Sequence, residues 1–187
     1  MEARTRGGRA NALPAELTAG ASVSCRAPAE AVYELLADPR THLIWGGERQ
    51  KRSSRLLSVE APEGQAGVGT EFRTEGTDPM GRFADVSVVT EADRPRRFEF
   101  VTEAQLTTKR GRAVDWTIVH RYELVPEPSG ACRIDYTVRI TRISELPGML
   151  AMLRVPVLST VARKASEGAA RRGVRNLARL AEERAGR

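Results

Sequence analysis

The sequence predicts an α+β fold in which a seven-stranded antiparallel sheet packs against one long C-terminal helix. Two observations carry that prediction. Seven strand-like runs are separated by short turn signals, with two short helical segments between the first run and the second. Then, over residues 156–183, Leu158, Val161, Ala162, Ala165, Ala169, Leu177 and Leu180 recur at helical spacing. Arg163, Lys164, Arg171, Arg172, Arg175 and Arg179 take much of the rest of the wheel. The middle of the apolar stripe is built of small residues, Ala165, Gly168, Ala169 and Gly173, so the helix alone does not fill a sheet against it to native density. Either large side chains from the sheet close that gap, or it is a cavity for an apolar ligand.

Taken in order, residues 1–18 carry Gly7, Gly8, Pro14 and scattered arginines without periodicity, which reads as a flexible tail ahead of a single domain over 19–187. Ala21, Val23, Cys25 and Ala27 alternate with Ser22, Ser24 and Arg26, a half-buried strand. Pro28 opens a helix over 29–37, where its missing N–H is not needed, and Asp38-Pro39 breaks it. A second helical piece over 40–45 ends at Gly46-Gly47. Strand runs follow at 52–61, 68–76, 81–92, 96–106, 112–126 and 131–143, divided by turns such as Thr77-Asp78-Pro79 and Lys109-Arg110-Gly111. Connections this short make the neighbours antiparallel. In the sixth and seventh runs one face is apolar and the other wet: Val114, Trp116, Ile118, His120, Tyr122 and Leu124 oppose Asp115, Thr117, Arg121 and Glu123. Residues 145–156, with Met149, Met152 and a proline at each end, read as either a lid or a turn of core helix.

Composition narrows the function classes. Hydrophobic residues at 41% and charged residues at 29% are ordinary for a globular protein. No run approaches the ~18 apolar residues of a membrane span, and the N-terminal arginines of this chain are followed by no apolar core, so the expected compartment is the cytoplasm. The net charge of +6 raises a nucleic-acid reading. Acidic residues are interleaved with the basic ones almost everywhere except the two ends, so no nucleic-acid partner is expected and the basic face of the last helix reads first as solvated. Cys25 and Cys132 lack metal-ligand spacing and read as free thiols in the core, brought near each other if the first and seventh strands are neighbours.

The motifs, in their order, resemble a known family. A strand followed by Pro28-Ala29-Glu30-Ala31-Val32-Tyr33-Glu34-Leu35-Leu36-Ala37-Asp38-Pro39, a tryptophan at 45, and Gly67-Val68-Gly69-Thr70 before a strand are the first part. Asp93-Arg94-Pro95-Arg96-Arg97-Phe98-Glu99-Phe100, then Tyr122-Glu123-Leu124-Val125-Pro126 and Gly130, are the second. Over residues 19–184 the chain resembles the helix-grip fold of the START-like or SRPBCC superfamily, the Bet v 1-like proteins, and within it the polyketide cyclase/dehydrase and lipid transport family. The resemblance implies a curved sheet gripping the long helix, with a cavity between them for a lipid, polyketide, steroid or other apolar molecule. It carries over no catalytic set, and chemistry has to be argued from the site.

Strand parity then gives the candidate ligand-binding residues. Phe72, Phe98, Phe100, Trp116, Ile118, His120, Tyr122 and Tyr136 lie on the inner face, with Ile134 and Val138 beside them. Trp45 stands at the helical entrance, and Leu158, Val161, Ala162 and Ala165 form the roof. Such residues either pack on one another or line a pocket, where burial supplies affinity and a few polar tips set orientation. His120, between Ile118 and Tyr122, either meets a ligand or bonds Tyr136 or a backbone carbonyl as a core histidine. His42 reads as a surface histidine, and the two histidines have no third ligand, so neither a metal nor any other cofactor is expected. Asp85 and Glu103 face either side of their strands and receive no role.

Three functions remain. The first is a monomeric or weakly dimeric carrier or sensor of an apolar small molecule. The second is a cyclase or dehydratase using His120, Tyr122 or Tyr136 as acid-base or orienting groups. The third is an interaction protein whose Arg-rich helix makes peripheral contact with a membrane or meets a protein partner.

Overall fold

The computed structural model describes residues 17–49, 54–144 and 156–186, without the side chains of 17, 156–163 and 165. Strand β1 (Leu17–Cys25) leads into helix α1 (Ala29–Ala37), a 3-10 turn (Pro39–Thr41) and a π-helical segment (Leu43–Glu48). Strands β2 (Arg55–Glu60), β3 (Glu71–Asp78), β4 (Gly81–Asp93), β5 (Arg97–Thr108), β6 (Ala113–Pro126) and β7 (Cys132–Ile143) follow, and helix α2 (Pro156–Ala185) ends the chain. The strands form one antiparallel sheet in the order β1-β7-β6-β5-β4-β3-β2. This is the predicted seven-stranded sheet with its C-terminal helix, and its first strand starts at Leu17. The expected tail over 1–16 and the lid-or-core segment over 145–155 lie outside the described residues.

Helix α1 occupies the predicted span. Pro28 stands at its N-cap in extended conformation, and Val32, Tyr33, Leu35 and Leu36 bury one face. Asp38 then ends it and accepts from the backbone N–H of Arg40, which starts the next turn. The second helical piece differs from expectation, because it runs through Gly46-Gly47 to Glu48. Those glycines are a crossing point. A Cβ on Gly47 would stand 2.6 Å from the Leu56 carbonyl oxygen of β2 and 3.1 Å from Leu43 Cδ1. Since a backbone carbonyl cannot swing aside, Gly47→Ala is expected to cost about 1–3 kcal/mol, seen as a lower urea midpoint at unchanged m-value.

The second half of α2 closes one end of the sheet. Val174, Leu177, Ala178, Leu180 and Ala181 are buried in one cluster with Cys25, Leu124, Cys132 and Ile134, and with Val32, Leu35 and Leu36 of α1. A fully buried leucine or valine contributes about 1.5–3 kcal/mol, so this seam is enough to seat the helix. Arg26 and Arg49 pin it further through Glu182 and Glu183. Cys25 and Cys132 face each other in register between β1 and β7 as free, buried thiols, and Cys25 Sγ donates to the Ala178 carbonyl at 3.5 Å. The outer face of the sheet is wet as predicted, crossed by pairs such as Arg97 with Glu91 at 2.8 Å and Arg121 with Glu99 at 3.5 Å.

Candidate functional site

Register fixes which side chains share the inner face. Tyr136 of β7 stands beside Tyr122 of β6, which stands beside Phe98 of β5. One step along the strands, Val138, His120, Phe100 and Val89 form the next row. Then come Ile140, Ile118, Thr102, Ser87 and Phe72, and after them Ile143, Trp116, Ala104, Asp85 and Thr74. The β-sheet irregularity between Thr117 and Ile118 absorbs one extra β7 residue, so that Ile143 rather than Arg142 pairs with Trp116.

The rows differ in how tightly they are filled. Phe98 is fully buried, edge-on to Tyr33 of α1 at 5.9 Å, and belongs to the closed end under α1 and α2. Trp116, Ile118, His120, Tyr136, Val138 and Ile140 keep accessible surface although they lie on the same inner face. They belong to the half of the sheet beyond the sealed seam. A Cβ on Gly168 of α2 would meet, among the described residues, only Arg172 of its own helix, at 3.6 Å. Leu158, Val161, Ala162 and Ala165, the expected roof, have side chains outside the described residues.

An aromatic cluster stands between the sealed and the open halves. Phe100 stacks on His120 at 4.7 Å and meets Phe72 edge-on at 5.3 Å. His42 lies 4.8 Å from Trp45 and 5.7 Å from Phe72. His42 is therefore no surface histidine: it is 3% exposed, and its Nε2 bonds the Leu36 carbonyl at 2.9 Å. The turn after α1 folds it inward onto two β-strand phenylalanines that are remote in sequence. Burial pushes both His42 and His120 down to about 4, so both rings are neutral at pH 7.

His120 Nδ1 and the Tyr136 hydroxyl are 2.7 Å apart. Tyr122, 4.6 Å from Tyr136 between ring centres, adds its own hydroxyl to the chain, and burial raises the pKa of both tyrosines. With Tyr122 donating to Tyr136, Tyr136 can donate to Nδ1, and the neutral His120 then carries its proton on Nε2. That Nε2–H has no acceptor among the described residues. As a general base the imidazole is poorly matched, since a group that protonates only near pH 4 has little driving force to take a proton at neutral pH.

On this side of the sheet two buried polar atoms have no partner among the described residues. Trp45 is 8% exposed, packs on Tyr122 at 6.4 Å, and its indole Nε1–H finds no acceptor among the described residues. Asparagine 176 of α2 holds the segment in place by donating to the Trp45 and Arg49 carbonyls at 3.2 and 3.3 Å. The second atom is Asp85 Oδ1. Asp85 faces inward and Glu103 outward, where Glu103 pairs with Arg142 at 2.9 Å. Asp85 is the inner-face residue that sequence reasoning left without a role; the signal for it was the two-residue hairpin at Pro79-Met80, which fixes the β3–β4 register. No group of three or more His, Cys, Asp or Glu with metal-binding geometry occurs among the described residues, and none of their helices is long and apolar enough to cross a membrane.

The chain matches the model of the family described as polyketide cyclase/dehydrase and lipid transport over residues 17–182. No curated protein matches it. Among solved structures it is similar to a protein of Rhizobium leguminosarum at 16% identity and a TM-score of 0.61, covering 91% of this chain and 96% of that one. A conserved protein of Geobacillus kaustophilus aligns at 15% identity and a TM-score of 0.60, over 89% and 96% of the two chains. Ara h 8.0201, a Bet v 1 homologue, aligns at 12% identity and 0.55, over 90% and 99%. At these identities the structures establish the Bet v 1-like helix-grip fold.

Proposed function

Because the chain belongs to the polyketide cyclase/dehydrase and lipid transport family, we propose that it binds an apolar small molecule between the sheet and α2, as a carrier or sensor. The observation that carries this reading is the Trp45 indole N–H, buried and without an acceptor among the described residues, beside an inner face whose farther half keeps accessible surface. An unmet donor at such depth is a standing cost of about 1–3 kcal/mol, and a ligand carbonyl or hydroxyl oxygen would remove it. Trp116, Ile118 and Val138 supply apolar wall, and His120 Nε2–H a second donor. The low proton affinity of His120 favours binding and orientation over acid-base turnover.

Native mass spectrometry of the purified protein, with extraction of what co-purifies, tests this. Val138→Trp, which fills the space beside His120, is expected to abolish the ligand-bound species while circular dichroism shows a retained fold. Apo protein that ignores a panel of lipids and polyketides would sink the reading. Turnover of a polyketide-like substrate, lost in His120→Ala with affinity retained, would replace it by the cyclase reading.

A further inference from the structure

The inner face is not uniformly apolar. Between the Phe72–Phe100 layer and a second cluster of Leu106, Val114 and Ile143 runs a polar strip. Ser87 and Thr102 are 2% and 3% exposed and share a hydrogen bond at 2.9 Å. In the adjoining row Thr74, 7% exposed, pairs in register with Asp85, whose carboxyl Oδ1 is buried and without a hydrogen-bond partner among the described residues. Four polar side chains in two adjacent rows of a core face run against the expected pattern for an inward-facing strand pair, where valine and isoleucine would contribute more stability. Ser87 and Thr102 satisfy one another, yet one hydroxyl proton of the pair has no use within it. The strip thus offers an acceptor at Asp85 and a donor two residues along the same face.

A group that donates and accepts at once, and brings no charge, fits that pair. Carboxylate ligands would meet the Asp85 charge. An ammonium group would have one counter-charge but would leave the unused hydroxyl proton facing a cation. We propose that Asp85, Thr74, Ser87 and Thr102 form a subsite for a hydroxyl group, so that the molecule taken into the cavity is an apolar body ending in an alcohol or phenol. This rests on the binding function proposed above and names the chemistry of its ligand.

The test is a matched series on the full chain at pH 8, where the Asp85 carboxyl is ionised and can only accept, read by the fluorescence of Trp45 and Trp116: 1-decanol, decyl methyl ether, decanoate and decylamine. Decanol is expected to bind about tenfold more tightly than the ether, the worth of one well-made buried hydrogen bond, with decanoate weakest. In Asp85→Leu the decanol-to-ether ratio falls to about one while ether affinity stays within about twofold. Equal binding of decanol and ether by the unaltered protein overturns the subsite and leaves the cavity standing, as does a ratio that survives Asp85→Leu. Decylamine binding most tightly would overturn the hydroxyl assignment in favour of a cation. If no member of the series binds, the cavity reading fails and the subsite with it.

Discussion

His42→Phe is expected to remove about 2–3 kcal/mol of the destabilisation that the protein suffers between pH 7 and pH 4.5. The unfolded histidine protonates near the ordinary 6.5, while burial holds the folded one down to about 4. Between those values the unfolded chain binds the proton and the folded chain does not. The contribution to stability is therefore intact above about pH 6.5 and is lost as the pH falls toward 4. Phenylalanine keeps the ring packed against Trp45 and Phe72 but leaves the Leu36 carbonyl without its donor. That loss is a pH-independent offset, so the slope rather than the absolute stability is the readout. Urea unfolding at several pH values supplies it. His120 is held down by the same burial and by the nearby His42 ring, so its imidazole signals in NMR should titrate at slightly higher pH in the variant. A variant whose slope matches the unaltered protein would mean that His42 is solvated.

How much of this was legible depends on how far the deciding contact lies in sequence. Helix α1 was read to the residue because Pro28 and the Asp38-Pro39 step mark its ends locally. Strands β6 and β7 were read because one face is plainly apolar and the other charged. The bond from His120 to Tyr136 that parity left open is made, because the register sets the two residues in adjacent rows of neighbouring strands. His42 was misread because its neighbours Arg40 and Thr41 are polar, while its burial comes from Phe72 and Phe100, thirty and more positions away. Strand β4 hid Asp85 for a different reason. Phe83, Asp85, Ser87 and Val89 alternate with Arg82, Ala84, Val86 and Val88, so neither face is the more apolar, and the bulge between Val89 and Glu91 breaks the parity before Ala92. Mixed polarity on an inner face is what a site costs in pattern, and it is where pattern reading fails.

Asp85→Asn is expected to stabilise the protein, and by an amount that grows with pH. Burial pushes the Asp85 carboxyl up from 3.8 to about 7, the Thr74 hydroxyl only partly offsets it, and no charged side chain contributes. Between those two values the folded state holds a proton that the unfolded state has released, so stability falls as the pH rises from about 4 to 7 and stays low above it. The shift corresponds to about 4 kcal/mol at pH 8 and about 1 kcal/mol at pH 4.5, as orders of magnitude. Asparagine keeps the shape and cannot ionise, so the difference in unfolding free energy between variant and parent should trace that curve. A flat difference would show that Asp85 is ionised in the folded protein at all these pH values and paired or hydrated. The sign is opposite to that of the two histidines, so in the unaltered protein the titrations partly cancel; Asp85→Asn steepens the rise of stability with pH, whereas His42→Phe flattens it. Retaining a carboxyl that weakens the fold near neutral pH has a physical reason if a ligand hydroxyl meets it: added decanol should then stabilise the parent more than it stabilises Asp85→Leu at pH 8.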